Sequence, residues 1–476
     1  MRYRPSKRVV WLVVPLLPVA IMCVGVWLAG QPDTAAIANR GSKAPEERRL
    51  TGSPSTWGNV FSSTGGLIGD GMDALMMSPA NPWRNDGSAA RFYHLQFSKD
   101  PAEQAEYQRL KKLGREWYER ILARYPELAM EPGKEVPAER NGLLKLTELF
   151  KRLGNGTTGE MVYVPYPVDL KSPFTKNQPW DEAAASTCVE ANRALIDELK
   201  TIGRMTESSM AGKDPSDWER GLAGNSTKAA ELLMLDARLA AGRGDIAGAL
   251  ESIRAARGLA DHLGGGDASM MHGIFSASIN SKISSFVFSS ILPTIPAGQV
   301  DAAAWQAAMN PTVHQPSDFA RTLRADWNSG LANHLLPMFS DTSDSSVPRD
   351  ADLVVEVYTR HVLESAKQAE SLGMRDLENN PPPVASADHL SRRGRSYAQM
   401  LGMTADSFDM RGIWERQQAG AGLTQAAFAM MNGQPVPNDP VSGKPYQWDP
   451  ATRKLSMPDI PRYQKTSIKP ITVPKM

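Results

Sequence analysis

The side chains able to do chemistry are scattered along this 476-residue chain. Seven histidines, His94, His262, His272, His314, His334, His361 and His389, supply imidazoles, which together with carboxylates suit zinc. Asp261, His262, Asp267 and His272 fall within one short stretch and can meet across a helix turn. No pair of histidines has the i, i+4 spacing that sets two ligands on one helical face, so no metal site is expected. Gly154-Asn155-Gly156-Thr157-Thr158-Gly159 has the spacing of a dinucleotide-binding glycine loop. It follows a helical pattern and precedes the strand-like EMVYVPYP, the reverse of the strand–loop–helix order that offers a helix N-terminus to a pyrophosphate. A helix stop and turn is expected there instead.

Other reactive types have ordinary uses. Glu116/Glu119 and Glu364/Glu370 fit a charged outer helix face. Arg392-Arg393-Gly394-Arg395 reads as a solvated basic cluster, and no nucleic-acid partner is expected. Cys188 lies in the alanine-rich DEAAASTCVEANRALIDELK and is expected as a small buried helix residue. The chain has no Walker A loop, Gly-x-Ser-x-Gly elbow, Ser-x-x-Lys or His-Glu-x-x-His. No catalytic, cofactor-binding or metal-ligating residue is assigned, and no cofactor is expected.

The elements that would hold such groups begin with a distinctive N-terminus. The 53 basic and 52 acidic residues give a net charge of +1, so no global field calls for a polyanion. Arg2, Arg4, Lys7 and Arg8 all precede the first apolar run, and without them 49 basic residues face 52 acidic ones. From Val9 to Ala29 the sequence carries no charge, and about 21 helical residues at ~1.5 Å each span a hydrocarbon core of ~30 Å. Trp11 and Trp27 suit the two headgroup levels, and the basic cluster belongs in the cytoplasm by the positive-inside rule. Pro15 and Pro18 predict a kink. The expectation is residues 1–8 cytoplasmic, 9–29 a transmembrane anchor in the bacterial cytoplasmic membrane, and the body extracytoplasmic. The alternative is secretion after signal-peptide cleavage, for which Ala36-Ile37-Ala38 offers a small-x-small site. Cys23 falls in the apolar run, which leaves Cys188 as the one thiol of the body and rules out an internal disulfide there.

Residues 30–99 read as a linker and irregular segment, with a glycine-broken apolar stretch from Phe61 to Met77. Residues 100–433 read as a helical body. Asp100-Pro101 supplies a cap and a first-turn proline, and Leu110, Leu113, Trp117, Ile121 and Tyr125 form one apolar face. NGLLKLTELFKRLG gives a second helix and Trp180–Met205 a third, with Ala191, Leu195, Leu199 and Ile202 on a shared stripe. The most regular unit spans Ser226–Leu263. Leu232, Leu235 and Leu239 form one stripe, while Ile246, Ala249, Leu250, Ile253, Ala256 and Ala260 form another. Gly244 and Asp245 between them predict a tight turn and an antiparallel helix pair, covered by Met270–Leu292, with Lys228 and Arg243 facing water. Further helices are expected over Asp318–Leu336, Ala351–Leu372, Ala387–Leu401 and Arg411–Met431. Residues 434–476 form a turn-rich tail, with a β-hairpin whose arms are Tyr446-Gln447-Trp448 and Arg453-Lys454-Leu455-Ser456.

Two resemblances follow from these residues. LAAGRGDIAGALESIRAA resembles one tetratricopeptide-type helix pair, Ala240, Gly244-Asp245, Ala249-Leu250 and Ala256 taking its small-residue and turn positions, without a regular array of ~34-residue copies elsewhere. A terminal helix followed by Asn438-Asp439-Pro440-Val441-Ser442-Gly443-Lys444-Pro445-Tyr446-Gln447-Trp448 looks like the tail of uncharacterised membrane-anchored bacterial envelope proteins. It is distantly similar to the Asp-Pro-x-x-Gly-x-Pro-Tyr region of type II secretion pseudopilins, whose processed leader and early helix glutamate do not occur in Val9–Ala29. From the residues alone, Asp439 and Gly443 shape a turn while Tyr446 and Trp448 pack on the preceding helix. The fold class expected is mainly α, a helical-hairpin or solenoid-like bundle with one N-terminal transmembrane helix. The function expected is a tethered interaction or scaffold protein with a protein partner. The alternatives are a pseudopilin-like assembly component and an enzyme whose site carries no known signature.

Overall fold

In a computed structural model of the protein, the residues described are 90–129, 135–154, 174, 179–209, 222–265, 270–343, 347–380, 385–401, 410–464 and 468–475. The expected span at residues 9–29, the stretch Phe61–Met77 and EMVYVPYP all lie outside them. Among the described residues no helix is long and apolar enough to cross a membrane.

A short helix, α1 (Ala90–Phe97), leads into α2 (Pro101–Arg124). The Asp100 carboxylate accepts from the amides of Ala102 and Glu103 and Pro101 occupies the first turn, so exposed donors are satisfied where the helix begins. Then come α3 (Gly142–Gly154), α4 (Glu182–Ala191), α5 (Arg193–Gly203), α6 (Leu222–Gly242) and α7 (Ile246–Leu263). Next are α8 (Met270–Phe286), running on into a π turn over Val287–Ile291, and α9 (Ala302–Met309). They are followed by α10 (Pro316–Gly330), a second π turn over Leu331–Leu335, α11 (Leu336–Phe339), α12 (Ala351–Ser371), α13 (Met374–Asn379), α14 (Arg392–Met400) and α15 (Met410–Met431). The chain ends in β1 (Gln447–Asp449), β2 (Lys454–Ser456), α16 (Pro461–Gln464) and β3 (Ile471–Thr472). Among the described residues the protein is thus mainly helical, with one small antiparallel sheet.

Two compact units divide this chain. The first draws on the described residues within Met1–Glu131, Leu323–Ser371 and Pro382–Met410. Its core gathers Phe92, Leu110, Leu128, Trp327, Leu336, Phe339 and Val354. Gly114 lets α2 approach α11 closely, since a Cβ there would lie 2.6 Å from the ring of Pro337.

The second unit draws on the described residues within Pro132–Thr322, Leu372–Pro381 and Arg411–Met476. Its middle is the α6/α7 pair. Gly244 takes a φ of 81°, where a side chain would be strained, and the Asp245 carboxylate accepts from the Gly248 amide, so the chain reverses within a few residues. Ser252 donating to Asp236 across the turn fixes the antiparallel register. Leu232, Leu235 and Leu239 are buried, as are Ala249, Ile253, Ala256 and Ala260, whereas Ile246 and Leu250 are only partly covered. Helix α7 is rich in Ala and Gly, and this lets α3, α5, α6, α8 and α9 all lie against it. The tightest approach is to α5: a Cβ on Gly258 would sit 1.9 Å from the Gly203 carbonyl oxygen.

Two expectations need correction, and a third is extended. The Trp180–Met205 segment is two helices, because Asn192 is buried and turns its amide back to the Cys188 carbonyl at 2.7 Å. The phase shifts there, which leaves Ala191 exposed while Leu195, Leu199 and Ile202 stay buried. Lys228 is half-buried rather than in water, and desolvation lowers its ammonium to a pKa of about 8 against the opposing charge of Glu231. Arg243 is exposed as expected. The tail hairpin forms with Trp448 opposite Leu455, and a third strand, β3, pairs Ile471 with Leu455 on the other edge of β2. Arg453, at a φ of 54°, lets the hairpin close and donates to the Val473 carbonyl at 2.9 Å.

Candidate functional site

A polar cluster in the second unit surrounds the C-terminal half of α7. Arg257 and Asp261, one helical turn apart, pair at 2.5 Å. The Arg257 guanidinium is buried because α8 and the residues after α9 close over it. It donates to the carbonyls of Met309 and Asn310 at 3.0 and 3.3 Å and to the Asn280 side-chain oxygen at 3.0 Å. Asn310 ends α9 in the left-handed region, which turns its carbonyl toward the arginine.

The following loop, 310–315, is pinned along its length. Gln425 donates to the Pro311 carbonyl at 2.5 Å, Gln418 accepts from the His314 amide at 2.6 Å, and Asp318 accepts from the Gln315 amide at 2.9 Å. Asp261 is half-exposed at the edge of this cluster. Crowding by protein raises its carboxyl above the ordinary range, with Arg257, His262 and His314 pulling the other way. His314 is itself half-exposed, with Nδ1 3.5 Å from Asp318.

The residues singled out by sequence have separate positions. His262 is buried against Gly142, its Nε2 lies 3.0 Å from the Ile202 carbonyl, and desolvation lowers its pKa. The neutral ring donates that hydrogen bond and ties α7 to α5. Burial brings His272 down to a pKa of about 4. Asp267 lies outside the described residues, as do Asn155–Gly159, while Gly154 ends α3 as the sequence suggested. Among the described residues no group of three or more His, Cys, Asp or Glu side chains could hold a metal ion. Cys188 is buried, and desolvation raises its thiol pKa, which keeps it a poor nucleophile. Glu116, Glu119 and Glu364 are exposed on helix faces, and Glu370 pairs with Arg324.

A second cluster was not foreseen. Asp236, nearly buried on α6, accepts from Arg193 at 2.9 Å, Lys200 at 2.8 Å and Ser252 at 2.7 Å. Burial alone would raise its carboxyl pKa. The Lys200 and Ser252 hydrogen bonds, the Lys200 charge and Arg193 outweigh that and leave it below the usual range. The available signal was the stretch LLMLDARLAAG, in which Asp236 and Arg238 interrupt an otherwise apolar run. An acid inside such a run must bring cations with it.

The polar groups of both clusters mostly hold helices and loops to one another, and Asp261 and His314 retain solvent contact. Comparison with family models, curated proteins and solved structures finds nothing that matches this chain.

Proposed function

We propose that the chain is a membrane-tethered helical interaction protein, anchored in a bacterial cytoplasmic membrane through residues 9–29, with its body outside the cytoplasm binding a protein partner. The observation that carries this reading is the charge-free run Val9–Ala29 directly after Arg2, Arg4, Lys7 and Arg8. The helical body supports it. Arg257, His262, Gln418 and Asp236 are engaged in joining helices, as in a scaffold presenting a fixed surface. The α6/α7 pair with α8 alongside supports a hairpin-stacked, solenoid-like body, an architecture suited to broad protein contacts.

The test is topological and biochemical together. A reporter active only after export, fused after Leu263, should be active, and alkaline washing should leave the full-length protein in the membrane. Activity of only a cytoplasmic reporter at that position would reverse the orientation. Release of a soluble species beginning near Gln31 or after Ala38 would replace the anchor by a signal peptide. Crosslinking in native membranes should then trap a defined protein partner, and recovery of the chain alone at every crosslinker length would refute the interaction role.

A further inference from the structure

Beside Asp236 on the same helix, Arg238 has a different fate. It is half-buried, and among the described residues it makes no ion pair or hydrogen bond. Its guanidinium lies over the ring of Trp180, 4.9 Å from the centroid. Among the described residues, neither Arg238 Nε nor Trp180 Nε1, both buried donors, has an acceptor. Orphaned buried donors are uncommon, because each gives up its hydration and gains no acceptor in return. Desolvation lowers the Arg238 pKa, and Glu182 on α4 offsets this only through space. The surroundings are aromatic: Phe286 lies 6.4 Å from Trp180 and 4.9 Å from Phe174, centroid to centroid.

We propose that Arg238 and Trp180 form a binding site for an oxyanion carried on an aromatic or apolar body. A carboxylate or phosphate ester supplies the acceptors that both donors lack, and a guanidinium offers a fork matched to either group. The rings of Trp180, Phe174 and Phe286 supply the apolar wall. Arg238 also keeps part of its surface in solvent, which gives such a ligand a way in. This site is independent of the membrane tether and differs from the Arg257 cluster, where the guanidinium already has its acceptors.

The full chain would be titrated with benzoate, phenyl phosphate and inorganic phosphate at low ionic strength, with tryptophan fluorescence and thermal midpoint as readouts. Because the chain has 11 tryptophans, the site signal is the part lost in Trp180→Phe. At least one aromatic probe should bind saturably and raise the midpoint. A preference for benzoate over phenyl phosphate would assign a carboxylate, and the reverse a phosphate ester. Arg238→Gln should weaken binding by about tenfold or more. Arg238→Lys keeps the charge, provides for the case in which the glutamine variant does not fold, and should bind several-fold more weakly than wild type. The absence of saturable binding by all three probes to the folded wild type would overturn the proposal. So would wild-type affinity in either arginine variant, which would leave the Arg238–Trp180 stack a purely structural contact.

Discussion

Replacing Asp236 by alanine should destabilise the second unit by about 3 kcal/mol. Breaking a buried ion pair by removing one partner typically costs ~3–5 kcal/mol, because the remaining charge keeps its desolvation penalty. The low end applies here because each partner retains a second acceptor. Arg193 keeps Glu190 at 2.8 Å, Lys200 keeps Glu251 at 3.8 Å, and Ser252 keeps the Gly248 carbonyl at 2.9 Å. Arg243→Ala, at an exposed position, should stay within ~0.5 kcal/mol and serves as the reference.

A chain of two units need not melt in one step, so the local readout is amide hydrogen exchange of peptides from α5, α6 and α7 under native conditions. The pH dependence has a definite sign. The Asp236 carboxyl titrates below its ordinary value in the folded protein. Its contribution is therefore complete above the unfolded pKa of ~3.9 and is lost as pH falls through the folded value. The difference between wild type and Asp236→Ala should be flat from about pH 5 upward and shrink below about pH 4. A loss under ~1 kcal/mol at neutral pH, or a difference that grows on acidification, would refute the reasoning.

Two further substitutions test close packing. Gly258→Ala places a methyl 1.9 Å from the Gly203 carbonyl oxygen and must part α5 from α7, so a loss of about 2–3 kcal/mol is expected in denaturant unfolding. Gly422→Ala sets a methyl 2.5 Å from Pro440 Cδ and 2.7 Å from Tyr446 Oη, and should free the tail for proteolytic cleavage. Gly420→Ala, on the same helix with nothing within 4 Å, should be neutral or stabilising by up to ~1 kcal/mol.

The local elements were legible wherever one residue type has one physical use. Asp100-Pro101 opens α2, Gly244-Asp245 turns the α6/α7 pair, and the two tail arms pair as β1 and β2. Periodicity, however, reports which face of a helix is apolar and not what covers it. Nothing local indicates that α12 belongs with α2 and not with α7, which lies nearer in sequence. Asn192 was missed as a break because alanine and leucine on both sides keep helix propensity high while its side chain competes for the backbone. Strand β3 is two residues long, too short for an alternating pattern. The Asp261–His262 neighbourhood was visible as a cluster, but Arg257's acceptors come from residues 280, 309 and 310, which only the tertiary fold assembles.

The tail shows how a resemblance and a local physical account can concern the same residues. The Asp439 carboxylate accepts from the Ser442 amide and hydroxyl and from the Tyr463 hydroxyl, and its backbone accepts from the Gly443 amide. Gly443 takes a φ of 71°, a conformation that disfavours any side chain. Pro440 and the Tyr446 hydroxyl lie against Gly422 of α15, and Trp448 packs on the main core of the second unit. Asp439, Pro440, Ser442, Gly443, Tyr446 and Trp448, among the residues that carry the resemblance, therefore help to fold the segment back onto the preceding helix. Similar residues are expected wherever a chain must make that reversal after a terminal helix. Turn-making alone accounts for these residues, and filament assembly would need a separate observation. The role proposed above rests on the charge pattern of residues 1–29, which turn-making does not explain.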